Sequence, residues 1–138
     1  MRCPDPDSRL DGAAFAYYPR LSAVAEYVRA HLRDRITLSD ASRVARLERK
    51  YFSVYFKSKV GLSFTAWVRL FRVSRAKELM AVGETPIARL AYASGFRDVR
   101  TFERAFKRCV GVSPVVYRAS VRPDSRTATQ ETRRMSQV

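Results

Sequence analysis

The chain has 138 residues, 46% of them hydrophobic, enough for one compact unit or two very small ones with real cores, so wholesale disorder is not expected. Its 27 Lys and Arg against 13 Asp and Glu give a formal net charge of +14. Such an excess attracts polyanions, either nucleic acid or an anionic membrane surface, and it argues against a protein that works on cationic partners.

In chain order, the first 19 residues are rich in Pro, Asp and Gly and are expected to form a flexible segment. Leu21 to Arg33 then places Leu21, Val24, Tyr27, Val28 and Leu32 on one helical face. Thr37 or Ser39 can cap a second helix to about Val44. A third runs from Glu48 to about Val60 and stops at Gly61, a natural position for a left-handed cap. Ser63 caps a long fourth helix to about Val82, closed by Gly83. Thr85-Pro86 supplies a cap followed by proline at the first helical position, where a missing N–H costs nothing. That fifth helix reaches about Ala93 and turns at Ser94-Gly95. Asp98 caps a sixth, which Gly111 ends, and Ser113-Pro114 opens a short seventh through Tyr117 and Arg118. Residues 119–138 are polar, without apolar spacing, and read as a disordered basic tail. No segment alternates in strand fashion, so the fold class is all-α with about seven helices.

The sixth helix is the most informative. Arg100, Glu103, Arg104 and Lys107 share one face, and Phe102, Ala105, Phe106 and Cys109 the other. A shift of 50 residues pairs Phe52 with Phe102, Phe56 with Phe106, Lys57 with Lys107, Gly61 with Gly111 and Ser63 with Ser113. Upstream the shift becomes 49 and pairs Leu38 with Ile87, Ala45 with Ser94 and Leu47 with Phe96. A short helix, a tight turn and a second helix with an exposed polar face therefore occur twice. That is the helix-turn-helix pattern, whose second helix enters the major groove of DNA. The expected organisation is a first unit at 20–62, a linker helix at 63–83 and a second unit at 84–118. The linker spans ~30 Å, close to the ~34 Å between successive major grooves on one side of a duplex.

The run "TPIARLAYASGFRDVRTFERAFKRCVGVSPVVYR" resembles the signature of the AraC/XylS family of transcription regulators. The likeness rests on Pro86, Ile87, Leu90, Ala91, Gly95, Phe96, Phe102, Phe106, Lys107, Gly111, Ser113, Pro114, Tyr117 and Arg118, with Arg72, Ala76, Lys77, Leu79 and Met80 in the linker. It covers roughly residues 21 to 118. The first unit departs from the pattern: Arg46 stands where the turn usually has Gly, Ala41 where Leu is usual, Ser42 where Ala packs, and Val54 where an arginine is common.

The resemblance implies a sequence-specific regulator that binds double-stranded DNA and activates by contacting RNA polymerase, and the repeat with its linker helix suggests binding as a monomer. Val99, Arg100, Glu103 and Arg104 match the positions through which the family's second unit reads bases. Arg100 and Arg104 can each grip guanine, and Glu103 can accept from cytosine N4, or else only orient the arginines. The first unit offers Lys50, Ser53 and Val54, a softer set in which Val54 can touch a thymine methyl. Lys57, Lys107, Arg108 and Arg118 lie toward helix ends and suit phosphate contacts, joined by Arg49 and Arg97 at the edges of the reading helices. About 20 residues precede the first helix, too few for an effector domain, which suggests a short member with no small-molecule effector site. A detached part of a longer effector-responsive regulator, or a non-specific architectural DNA binder, are the alternatives.

Other functions have little support in the residues. The sole histidine, His31, lacks partners and is expected at the surface, and no Cys/His spacing or Gly-rich phosphate loop suggests catalysis, a metal or a cofactor. Cys3 and Cys109 do not form a disulfide framework, and neither an 18-residue apolar run nor a signal-peptide pattern is present, so a cytoplasmic, nucleoid-associated protein is expected. Membrane-surface binding would need exposed Phe and Trp, whereas Trp67 and the phenylalanines fall on inward faces.

Overall fold

A computed structural model describes residues 15, 17–83 and 85–121. Seven helices follow one another there: α1 Pro19–Ala30, α2 Leu38–Ala45, α3 Arg49–Val60, α4 Phe64–Val82, α5 Ile87–Ala93, α6 Val99–Val110 and α7 Pro114–Val121. No strand occurs among the described residues. The tail beyond Val121, and Cys3, lie outside them.

Caps explain most of the boundaries. Thr37, not Ser39, caps α2 in a reciprocal box: its hydroxyl accepts from the Asp40 N–H and the Asp40 carboxylate accepts from the Thr37 N–H, both at 3.1 Å. The Ser63 hydroxyl accepts from the Ala66 N–H, and Gly61 and Gly111 close α3 and α6 with positive φ. Two boundaries differ from expectation. Pro86 is itself the N-cap of α5, extended at φ −55° and ψ 145°, so the helix starts at Ile87 and Thr85 does not cap it. The first helix begins earlier and ends earlier than the apolar spacing implies, with Pro19 in its first turn and Ala30 its last residue. Leu32 still points inward, but from the turn that follows.

The helices build two cores. The first gathers Leu21, Val24 and Val28 of α1, Ala41 and Ala45 of α2, Phe52 and Phe56 of α3, and Phe64, Trp67 and Val68 of α4. Phe15 stacks on Trp67 with ring centroids 5.0 Å apart and Tyr18 packs nearby, so this core reaches upstream of residue 20. The second core takes Leu70, Val73, Ala76 and Met80 of the same α4, Leu90 and Ala91 of α5, Phe96, and Phe102, Ala105, Phe106 and Cys109 of α6. Phe52, Phe56, Phe102 and Phe106 are fully buried, each worth about 1.5–3 kcal/mol relative to exposure. The Trp67 indole N–H is buried without an acceptor among the described residues. His31 is half-buried, not a free surface residue: its ring stacks on Tyr27 and its Nδ1 lies 3.0 Å from the Tyr27 carbonyl.

The two halves meet at a polar junction. Arg72, on α4, donates from Nε to the Leu32 carbonyl (3.3 Å) and from Nη2 to the Asp34 carbonyl (3.0 Å). Burial pulls its pKa below the ordinary arginine value, yet a guanidinium stays charged at any physiological pH. Gly95, in the turn between α5 and α6, lies directly against the same Leu32 carbonyl. The turn of the second half thus rests on the end of the first.

Candidate nucleic-acid interface

The two helix–turn–helix segments repeat the same backbone hydrogen bonds around their turns. In the first, the Arg46 N–H bonds the Arg43 carbonyl and the Leu47 N–H bonds the Ser42 carbonyl. In the second, the Gly95 N–H bonds the Tyr92 carbonyl and the Phe96 N–H bonds the Ala91 carbonyl, at a shift of 49. After the turn the shift is 50: Phe52 to Glu48 and Phe102 to Asp98, then Gly61 to Lys57 and Gly111 to Lys107, both 2.8 Å. The extra residue falls where the second turn carries Arg97. Arg46 occupies the left-handed region at φ 57° and ψ 42°, and Gly95 is at φ 101°. A side chain at Arg46 therefore costs about 1–2 kcal/mol that glycine avoids.

Each turn launches a helix with one face buried and one face open. In α6, Asp98 Oδ1 accepts from the Thr101 N–H at 2.7 Å and Oδ2 accepts from the Thr101 hydroxyl at 3.1 Å. These bonds, the backbone one first, hold the Asp98 carboxyl below its ordinary pKa, with Arg97 adding a smaller effect. Phe102, Ala105, Phe106 and Cys109 anchor the inner face. Arg100, Glu103, Arg104, Lys107 and Arg108 are exposed, and Val99 is half-buried at the edge. None of these charged groups forms an ion pair with another described residue, whereas Arg75 and Glu78 on α4 do pair. The helix-spaced pairing of Glu103 with its arginine neighbours is accordingly not formed.

In α3 only Phe52 and Phe56 are fully inward. Arg49, Lys50, Val54 and Lys57 are exposed, Val54 by 67%, and Ser53 is half-buried. Tyr51, 59% exposed, stands on the same open face at the place equivalent to Thr101 and was not singled out from sequence. The signal was present: an aromatic 50 residues before an exposed threonine. Arg97 is exposed beside Asp98. Arg118 stands apart from the other proposed phosphate contacts, because it is half-buried and donates to the Thr85 carbonyl, tying α7 to the start of α5.

No group of His, Cys, Asp and Glu among the described residues could hold a metal ion. No helix among the described residues is long and apolar enough to cross a membrane.

A family model described as a helix-turn-helix domain matches residues 41–120. The probable transcriptional regulator LumQ of Photobacterium leiognathi is 32% identical over 99 residues, 72% of this chain and 40% of LumQ. The arabinose operon regulatory protein of Escherichia coli is 32% identical over 101 residues, 72% of this chain and 35% of that protein. This chain thus spans two-fifths or less of the length of these relatives. Among solved structures, the DNA-binding domain of AdpA, a global transcriptional factor, in complex with a target DNA superposes with a TM-score of 0.71 at 27% identity, over 76% of this chain and 95% of that one. The matched segment, the doubled turn geometry and the signature around α6 agree, and the chain belongs to the AraC/XylS family of helix-turn-helix DNA-binding transcription regulators.

Proposed function

We propose that this chain is a sequence-specific regulator that lays α3 and α6 into two successive major grooves of double-stranded DNA, binding as a monomer from one side. The observation that carries this reading is the repeat: two turns of matching hydrogen-bond pattern launch two helices whose outer faces hold unpaired cations. The 19 residues of α4 span about 28 Å, compatible with one duplex turn between reading helices. Arg100, Glu103 and Arg104, with Val99 at their edge, read bases in the second groove, and Lys50, Ser53 and Val54 read more loosely in the first. Arg49, Lys57, Arg97, Lys107 and Arg108 hold phosphates, and Arg118 adds to them only what its bond to Thr85 leaves free. By family likeness the protein acts on promoters in the bacterial cytoplasm as an activator that contacts RNA polymerase.

The test is selection of bound duplexes from a random pool, followed by footprinting. Two protected grooves on one side, over roughly 20 bp, are expected. A single protected groove, or binding only as a dimer, contradicts the reading.

A further inference from the structure

The inter-unit cleft on the α6 side of the junction has a volume near 640 Å³ and an unusual wall. Arg33 and Arg35 come from the loop after α1, Arg69 and Arg72 from α4, and Arg97 from the turn before α6, whose Thr101 also lines it. Asp34 supplies the one carboxylate among the lining residues. Arg72 forms a fixed inner edge, held to the Leu32 and Asp34 carbonyls. The other four arginines have no hydrogen-bond acceptor or ion-pair partner among the described residues. Asp40 and Asp98 lie near Arg35 and Arg97, which help to lower their pKa values, but close no ion pair with them.

A second hollow of similar size, near 660 Å³, lies across the junction and differs in a telling way. Its Arg75 is paired with Glu78, and its Arg29 sits over the Phe71 ring at 5.9 Å. Those two cations have partners within the protein, and the third, Arg33, is shared with the first cleft. In the first cleft only Arg72 has such partners, and like charges brought together at a junction repel unless an anion joins them.

We infer that this cleft seats the phosphodiester backbone of the DNA stretch that runs between the two reading helices, so that Arg33, Arg35, Arg69 and Arg97 act as one phosphate clamp. The inference rests on the two-groove reading, since only a duplex engaged by both α3 and α6 passes a strand between the units. Thr101, in the first turn of α6, places the cleft beside the second reading face. The clamp is indifferent to sequence, and it sets how the duplex sits against both helices at once.

The experiment is equilibrium binding, by fluorescence anisotropy across a range of salt concentrations, to the best selected duplex and to an unrelated one. Arg69→Ala and the pair Arg33→Ala with Arg35→Ala are compared with Arg75→Ala, which removes the same charge from α4 outside the cleft. Each cleft arginine removed should lower the slope of log K against log salt by about 0.9, equally on both duplexes, and Arg75→Ala should leave it unchanged. Arg69→Lys, which keeps the charge, should retain the wild-type slope, so a loss of slope confined to misfolded protein is recognised by its far-UV circular dichroism. Unchanged slopes in folded cleft variants overturn the clamp, even if Arg100→Ala still weakens the best site. A wild-type protein with no preference between the duplexes fails the two-groove reading itself. Inorganic pyrophosphate should inhibit no more than chloride of equal ionic strength. Stronger competition that disappears in Arg69→Ala would make the cleft a small-anion site and overturn the assignment to the DNA backbone.

Discussion

Replacing Gly95 by alanine tests whether the two halves are locked together as described, and Gly111 provides the internal control. Both glycines hold positive φ, 101° and 96°. An alanine at either one pays the left-handed cost of about 1–2 kcal/mol, and both gain a similar few tenths from a stiffer unfolded chain. Their surroundings differ. A Cβ at Gly111 meets nothing within 4 Å, whereas at Gly95 it would stand 2.1 Å from the Leu32 carbonyl oxygen and 2.9 Å from Arg72 Nε. The arginine can swing aside, but the carbonyl is backbone and is already bonded by Arg72. It must retreat by roughly 1 Å, an overpacking of the kind that costs about 1–3 kcal/mol. Gly95→Ala should therefore be less stable than Gly111→Ala by about 1–3 kcal/mol, or on the order of 5–20 °C in Tm for a domain of this size. Thermal melts followed by circular dichroism, with urea unfolding alongside, measure the difference. Equal losses in the two variants would mean that the α5–α6 turn does not press on the first half, and the junction as drawn would be wrong.

Three further outcomes follow from the geometry. Arg46→Gly relieves the left-handed strain at φ 57° and should raise Tm by a few degrees, about 0.5–1 kcal/mol net of glycine's entropy, since the Arg46 side chain is exposed; a fall in Tm would show that its side chain packs. Asp40 and Asp98 have pKa values lowered by their cap hydrogen bonds, so the stability they add is full above the unfolded carboxyl value near ~3.9 and is lost as pH falls through the lower folded values. Melts between about pH 2 and 6 should show this acid loss, and Asp40→Asn with Asp98→Asn, which keep a capping oxygen, should flatten it. Arg100→Ala and Arg104→Ala should each cost ~1–3 kcal/mol on the best duplex and far less on random DNA, while Lys107→Ala weakens both alike; electrophoretic mobility shifts on the two duplexes distinguish these patterns.

Much of this fold was legible because its signals are local. The periodicity that set Phe102, Ala105, Phe106 and Cys109 against Arg100, Glu103 and Arg104 is the buried and exposed division that α6 displays. Arg46 stands where the family's turn usually has Gly, the residue suited to a left-handed backbone, and φ there is positive. Boundaries set by competition between neighbours were harder. Local preference points to Thr85 as the cap of α5 with Pro86 first in the helix, but the extended ψ of Pro86 moves the cap one residue on. Phe15 sits in a Pro- and Asp-rich stretch with no helical period, and its place against Trp67 is a tertiary contact without a local trace. The arginine cleft was invisible for the same reason, since Arg33, Arg69 and Arg97 meet only when the chain has turned back on itself. Arg118 looked like a phosphate contact from its position near a helix end, but its half-buried guanidinium has an internal acceptor that charge counting could not show.

The helix shared by both cores has a further consequence for how this chain can vary. Phe64, Trp67 and Val68 belong to one core, and Leu70, Val73, Ala76 and Met80 to the other, on one uninterrupted run of turns. One residue inserted between Val68 and Leu70 would rotate everything downstream by about 100° and advance it ~1.5 Å. On the two-groove reading, the outer face of α6 would then no longer meet the same side of the duplex as that of α3, and the Gly95 turn would lose its seat on Leu32. The length of this helix sets the rotational phase between the two halves, so their outer faces are free to diverge by substitution while the helix between them tolerates neither insertion nor deletion.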